Sequence, residues 1–128
     1  RQLRQFFGDN QTIEKEAISD LDKGFVSRFK SLVEERMKDA ELNVEDLGRN
    51  MGISRVQLYR KLKSLTNYSP NELLRQMRLK KAASLLASSD MTVAEIAYEV
   101  GFSSPSYFTK CYKEQFGESP TEFLKRRG

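Results

Sequence analysis

The tetrapeptide S-P-x-E occurs twice in this chain, 50 residues apart, each time after the same kind of pattern. Ser69-Pro70-Asn71-Glu72-Leu73-Leu74-Arg75 returns as Ser119-Pro120-Thr121-Glu122-Phe123-Leu124-Lys125. Upstream, Leu47-Gly48-Arg49-Asn50-Met51-Gly52-Ile53-Ser54 returns as Ile96-Ala97-Tyr98-Glu99-Val100-Gly101-Phe102-Ser103. Self-similarity at a fixed period constrains architecture more than any single motif, because each copy folds as one unit that packs against its neighbour. Two related half-domains are therefore expected.

Hydrophobic periodicity is helical throughout, with no strand-like alternation. Phe25, Val26, Phe29, Leu32, Val33 and Met37 predict a first helix over 22–38, with Asp22 as N-cap and a Leu21–Val26 staple. A short helix follows at 44–50, capped by Asn43 with Glu45 and Asp46 near its positive end. Met51-Gly52-Ile53 makes a tight turn, and Ser54 caps a helix over 55–65 that buries Val56 or Leu58, Leu62 and Leu65. Asn67 stops that helix, and Gly117 plays the same part in the second copy.

Ser69 and Ser119 each read as an N-cap followed by Pro at the first helical position and Glu at the third, a reciprocal capping box. The helix from Pro70 runs to Ala87, and its second half is apolar nearly all round, as expected of a bridge enclosed by both halves. Thr92-Val93-Ala94-Glu95 is a further capping box and opens a helix over 93–99. Gly101-Phe102 turns the chain, Ser103 or Ser104 starts a helix over 105–115, and residues 119–126 form a last short helix. The expected fold is all-α, with about seven helices: two helix-turn-helix units, at 43–65 and 92–115, joined by a central helix over 70–87. Residues 1–20 are polar, are broken by Gly8-Asp9-Asn10, and read as a linker or the end of an upstream domain.

In each unit a short helix, a glycine turn and a longer helix follow one another, the arrangement that lays its second helix in a DNA major groove. Charge agrees. Residues 1–53 hold nine Lys/Arg against eleven Asp/Glu, whereas residues 54–128 hold thirteen against seven. Arg55, Arg60, Lys61, Lys63, Arg75, Arg78, Lys80 and Lys81 cluster within 54–81 with only Glu72 opposed to them, the footprint of a polyanion binder.

Other classes find little support. The chain has one cysteine, Cys111, and no histidine, so zinc sites and Ser/His or Cys/His nucleophile pairs are absent. Glu34/Glu35 and Asp39/Glu41 sit on a polar helix or at its end with no cleft signal, so neither an enzyme nor a cofactor is expected. Cys111 beside Phe108 and Tyr112 reads as a small core residue and suits a reducing compartment. No apolar run approaches the roughly 20 residues of a membrane span, so the expected location is the cytoplasm. The chain starts at Arg1, as a fragment of something longer would. The alternative to DNA binding is a helical protein–protein interaction module without intrinsic DNA specificity.

Residues 43–127 resemble the DNA-binding domain of the AraC/XylS family of bacterial transcription regulators. The first set of matching residues is Asp46-Leu47, Met51-Gly52-Ile53-Ser54, Leu58-Tyr59-Arg60-Lys61-Leu62-Lys63, Ser69-Pro70, Arg78-Leu79, Ala82 and Leu85-Leu86. The second is Ile96-Ala97, Val100-Gly101-Phe102-Ser103, Tyr107-Phe108, Lys110, Tyr112-Lys113, Phe116-Gly117, Ser119-Pro120 and Phe123. Asn67 stands where the family usually has Gly. The resemblance implies sequence-specific double-stranded DNA binding at promoters, with RNA polymerase as a further partner. It makes 21–128 one such domain. By position, it places base reading on Arg55, Val56, Tyr59 and Arg60 in the first half. In the second half the same positions are Ser104, Pro105, Ser106, Thr109 and Lys110, with Tyr107 near the helix start. Lys61, Lys63 and Lys113 are then phosphate contacts. Arg1–Lys23 and Gln57-Leu58-Tyr59-Arg60-Lys61-Leu62 resemble the output end of hybrid two-component regulators, where a receiver domain precedes this one. A hybrid sensor of that kind would be tethered to a membrane.

Overall fold

Seven helices account for the described residues, 20–127, of the computed structural model: α1 (Asp20–Arg36), α2 (Val44–Asn50), α3 (Arg55–Thr66), α4 (Pro70–Ser88), α5 (Val93–Glu99), α6 (Pro105–Phe116) and α7 (Pro120–Arg127). The linker expected over residues 1–20 lies, apart from Asp20, outside the described residues.

The helix ends are set by side chains the sequence singled out. Ser54 Oγ accepts from the Gln57 N–H at 3.1 Å while Gln57 Oε1 accepts from the Ser54 N–H at 2.9 Å. Ser69 with Glu72, Thr92 with Glu95 and Ser119 with Glu122 form the same reciprocal pair. Each such cap contributes on the order of 1 kcal/mol by satisfying N–H groups that a helix start leaves open. Asn67 and Gly117 close α3 and α6 in the left-handed conformation, at φ 68° and 83°. The Lys63 and Lys113 carbonyls accept from their N–H groups. Of the two candidates for the α6 cap, Ser104 is the cap.

The first helix departs from expectation. It begins by Asp20 and ends at Arg36, so Asp22 lies inside its first turn and is no N-cap. Leu21 is 86% exposed and makes no staple with Val26. Within α3, Leu58 is the buried residue and Val56 is exposed; Leu65 is half-buried, and Thr66 takes the inner position instead. There the Thr66 hydroxyl donates to the Leu62 carbonyl at 2.8 Å.

Two cores lie on either side of the central helix. Phe29 and Val33 of α1, Leu47 of α2, Leu58 and Leu62 of α3, and Leu73 and Leu74 of α4 form the first. Leu79, Ala82 and Leu86 of α4 join Ile96, Ala97, Val100, Phe102, Phe108, Cys111 and Tyr112 in the second. Met37 packs against both. α4 touches α3, α5, α6 and α7, so it belongs to each half. The half-domains therefore share one rigid element and are not joined by a free linker.

A polar contact reinforces that seam. Arg78 of α4 donates to the Asp39 carbonyl, in the loop after α1, at 2.9 Å. Its guanidinium lies against Gly101, the turn glycine of the second unit. Burial pulls the Arg78 pKa down, and the neighbouring Asp39 charge opposes the shift. The Asp39 carboxylate in turn accepts from the Glu41 N–H and from Arg36, which hold its own pKa low and shape the loop.

Gly52 and Gly101 both take positive φ, at 76° and 97°, as the turns require. Their surroundings differ. A Cβ on Gly52 meets nothing within 4 Å, whereas one on Gly101 stands 2.0 Å from the Met37 carbonyl oxygen and 2.8 Å from Arg78 Nε. Gly52→Ala should cost about 1–2 kcal/mol, the penalty of a left-handed alanine alone. Gly101→Ala should cost at least twice that and loosen the seam. Urea unfolding of the two variants checks the difference; equal losses would contradict the close approach at Gly101.

Candidate nucleic-acid interface

α3 and α6 are the second helices of the two helix-turn-helix units, and each is pinned by its apolar face. In α3, Leu58 and Leu62 are fully buried, which turns Arg55, Val56, Tyr59 and Arg60 outward. Val56 is 57% exposed and Tyr59 49%. Neither large side chain is recruited to the core, although both are costly to leave in water. In α6, Phe108, Cys111 and Tyr112 are buried, and Phe108 packs edge-on to Phe102 of the turn at 5.3 Å between centroids. Ser106 and Lys110 are exposed, and Ser104, Pro105 and Thr109 are half-buried. The Ser104 hydroxyl is already used: it accepts from the Tyr107 N–H at 3.2 Å as the helix cap.

The three lysines expected at phosphates are all exposed, but two have partners. Lys63 Nζ donates to the Asn67 carbonyl at 3.3 Å, beyond the C-terminus of α3. Lys61 Nζ stands 3.4 Å from an Asp22 carboxylate oxygen and 5.2 Å from the centre of the Phe25 ring, so α1 holds it from the side. Arg28 of α1 also donates to the Asn50 carbonyl at 2.9 Å, at the end of α2. The α1 helix thus braces the first unit through both of its helices.

Between the half-domains lies a cleft of about 390 Å³. Asn71, Leu74, Arg75 and Arg78 of α4 line one wall, Ala40 and Leu42 another, and Gly101, Phe102, Ser103 and Tyr107 the third. Sequence reasoning passed over this group as a site. Its signal was present in the spacing of Asn71, Arg75 and Arg78, which fall at i, i+4 and i+7 on one stripe of a helix. What the sequence lacked was the approach of the second turn to that stripe. Cys111 is buried, and no group of three or more metal-ligating side chains comes together among the described residues. No described helix is long and apolar enough to cross a membrane.

Comparison with known proteins agrees with this geometry. Residues 47–126 match the family model described as a helix-turn-helix domain. The chain belongs to the AraC-type helix-turn-helix family. It is 37% identical over 109 residues to a protein named histidine kinase P4 from Formosa agariphila, covering 85% of this chain and 8% of that protein. It resembles the crystal structure of a transcriptional regulator from Chromobacterium violaceum, described as containing an AraC-type DNA-binding domain. That match has a TM-score of 0.77 and 26% identity, covering 86% of this chain and 97% of the other. It also resembles the DNA-binding domain of AdpA, a global transcriptional factor solved in complex with a target DNA. There the TM-score is 0.74 and the identity 29%, with 78% and 89% covered. The chain spans only 8% to 37% of the length of eight curated relatives that it matches.

The Asp22–Lys61 pair is partly solvated, so its worth is small. A double-mutant cycle of Asp22→Asn and Lys61→Gln, read by chemical unfolding, should give a coupling of about 0.2–1 kcal/mol. A larger coupling would mean that α1 is essential to the first unit and not a brace.

Proposed function

We propose that this AraC-type domain binds double-stranded DNA sequence-specifically and regulates transcription, laying α3 and α6 in successive major grooves. The observation that carries the reading is the pair of pinned helices, each turning polar or cationic side chains outward, mounted on one shared helix. The AdpA relative, solved with its target DNA, supports the same use of this fold. α4 has 19 residues and is about 28 Å long at 1.5 Å per residue. A span of that order suits readers set one DNA turn apart, about 34 Å.

In this reading Arg60 bridges guanine O6 and N7, Val56 meets a thymine methyl, and Arg55 and Tyr59 complete the first set. Ser104, Pro105, Ser106, Thr109 and Lys110 form the second. The second set is smaller and less charged, so the first unit carries more of the base preference. Pro105 offers only an apolar ring, and Ser104 contributes its backbone more than its capping hydroxyl. Lys61, Lys63 and Lys113 neutralise phosphates, which set affinity and register but not sequence. Lys61 exchanges Asp22 for phosphate when it does so.

The full-length protein places a receiver or other signalling domain before this one and brings RNA polymerase to the promoter. The relative named as a histidine kinase supports the two-component setting. The domain works in the cytoplasm, beside the membrane where the full-length protein is a hybrid sensor. It acts by binding, without catalysis or cofactor.

Two substitutions separate base reading from phosphate contact. On a duplex selected in vitro by the wild-type chain, Arg60→Ala should cost about 1–3 kcal/mol and flatten preference at one base pair. Lys63→Ala should weaken all duplexes alike and lower the salt slope by about one unit. Unchanged relative affinities in Arg60→Ala would remove its assigned role. Binding with no preference among duplexes would favour the protein-interaction module instead.

A further inference from the structure

The cleft between the half-domains is lined by the shared helix α4 and by the turn and start of the second recognition helix, at Gly101, Phe102, Ser103 and Tyr107. At one side of it, Glu72 lies within the field of both Lys63, near the end of α3, and Arg75. The Glu72 carboxylate itself is occupied in its cap, accepting from the Ser69 N–H at 2.8 Å. At the other side, Cys111 and burial push the Tyr107 pKa up, which keeps its hydroxyl protonated, while Arg75 close by opposes the shift. Tyr107 is the third residue of α6, and its ring leans on Phe102 at 5.8 Å between centroids. Lys63, Arg75 and Tyr107 therefore run from the end of one recognition helix to the start of the other.

The lining has the chemistry of an anion seat. None of the described lining residues is acidic. Arg75, Asn71, Ser103 and Tyr107 are exposed, so an incoming group meets a guanidinium fork, an amide and two hydroxyls. Arg78 adds charge from the same wall as Arg75, although one of its N–H groups already serves the Asp39 carbonyl. Arginine matches the two free oxygens of a phosphodiester in a bidentate way that lysine cannot.

A protein that reaches two successive major grooves on one face must be crossed by the DNA backbone between them. That backbone passes between the two units, and the cleft is lined by residues of the shared helix and of the start of the second unit.

We propose that the cleft seats a phosphodiester of the DNA backbone segment crossing between the two major grooves, with Arg75 as its cation and Asn71, Ser103 and Tyr107 as neutral donors. The inference rests on the duplex-binding reading and adds a central contact to it. This contact carries no sequence information. It sets the phase of the two readers, because one phosphate held at the seam fixes both units along the duplex at once.

The test uses the whole chain and a duplex that the wild type has selected in vitro, with binding measured from 50 to 200 mM salt. Arg75→Gln, at an exposed position, should bind every duplex more weakly with base preferences intact. Its salt slope should fall by about 0.9, so that over the fourfold salt rise it loses about 3.5-fold less affinity than the wild type. Lys38→Gln, whose charge is matched by Glu99 at 3.2 Å and which does not line the cleft, should leave the slope unchanged. A single uncharged methylphosphonate placed in the segment between the two contacted regions should weaken the wild type and leave Arg75→Gln unaffected.

An unchanged slope in Arg75→Gln would overturn the proposal. So would an equal loss in Lys38→Gln, or an equal methylphosphonate cost in both proteins. Displacement of the wild type by inorganic phosphate at constant ionic strength, lost in Arg75→Gln, would make the cleft a small-anion site and also overturn it. If Arg60→Ala flattens base preference while Arg75→Gln changes nothing, only this inference fails. If the wild type selects no duplex, the duplex-binding reading fails and takes this one with it.

Discussion

The Arg78 guanidinium, held between the Asp39 carbonyl and the bare backbone of Gly101, ties the two half-domains to one another. Each helix-turn-helix has its own core, and each core alone would leave its partner's orientation open. The shared helix α4 fixes the axis, since Leu73 and Leu74 enter the first core and Leu79, Ala82 and Leu86 the second. Arg78 sits between those two groups in sequence and in space. A side chain at position 101 would drive the turn off the helix by striking the Met37 carbonyl, so the glycine there serves the seam as well as the turn.

From that seam the outward surface follows. Leu58 and Leu62 in α3, and Phe108, Cys111 and Tyr112 in α6, each lock the rotation of a helix about its own axis. The seam locks one helix against the other. With both fixed, exposed side chains several turns apart in sequence acquire set positions in space, which is what a reader of a periodic partner needs. The α1 helix adds a brace on one side only: Asp22 and Phe25 hold Lys61, and Arg28 holds the end of α2. The C-terminal end of α1 meets the seam instead, where Arg36 donates to the Asp39 carboxylate.

Much of the fold was legible in the sequence because it is written in local chemistry. The capping boxes at Ser69, Thr92 and Ser119, the left-handed stops at Asn67 and Gly117, and the turn glycines each depend on residues within a few positions of one another. The start of α1 was misread because Asp22 followed by an apolar run looks like a cap. Its carboxylate is spent across the fold on Lys61, and only tertiary contact reveals that. For the same reason the outward face of α3 could be read from Leu58 and Leu62, while the cleft could not. Asn71 and Arg75 are ordinary polar positions of a helix until the turn at Gly101–Ser103 and the Tyr107 ring are brought against them. The unequal cost of a side chain at Gly52 and at Gly101 was hidden likewise, since both glycines serve the same turn in a repeat.

A rigid separation between the two recognition helices is the central claim, and a spacing series tests it most directly. Base pairs are inserted one at a time between the two segments of a duplex that the wild-type chain protects, and affinity is measured for each length. Five added pairs rotate one segment to the far side of the duplex, about half a helical turn. A fixed separation predicts that simultaneous use of both helices is abolished there, leaving only weak binding through one unit. Equal affinity at every spacing would show that the two units engage DNA independently, and would contradict the account.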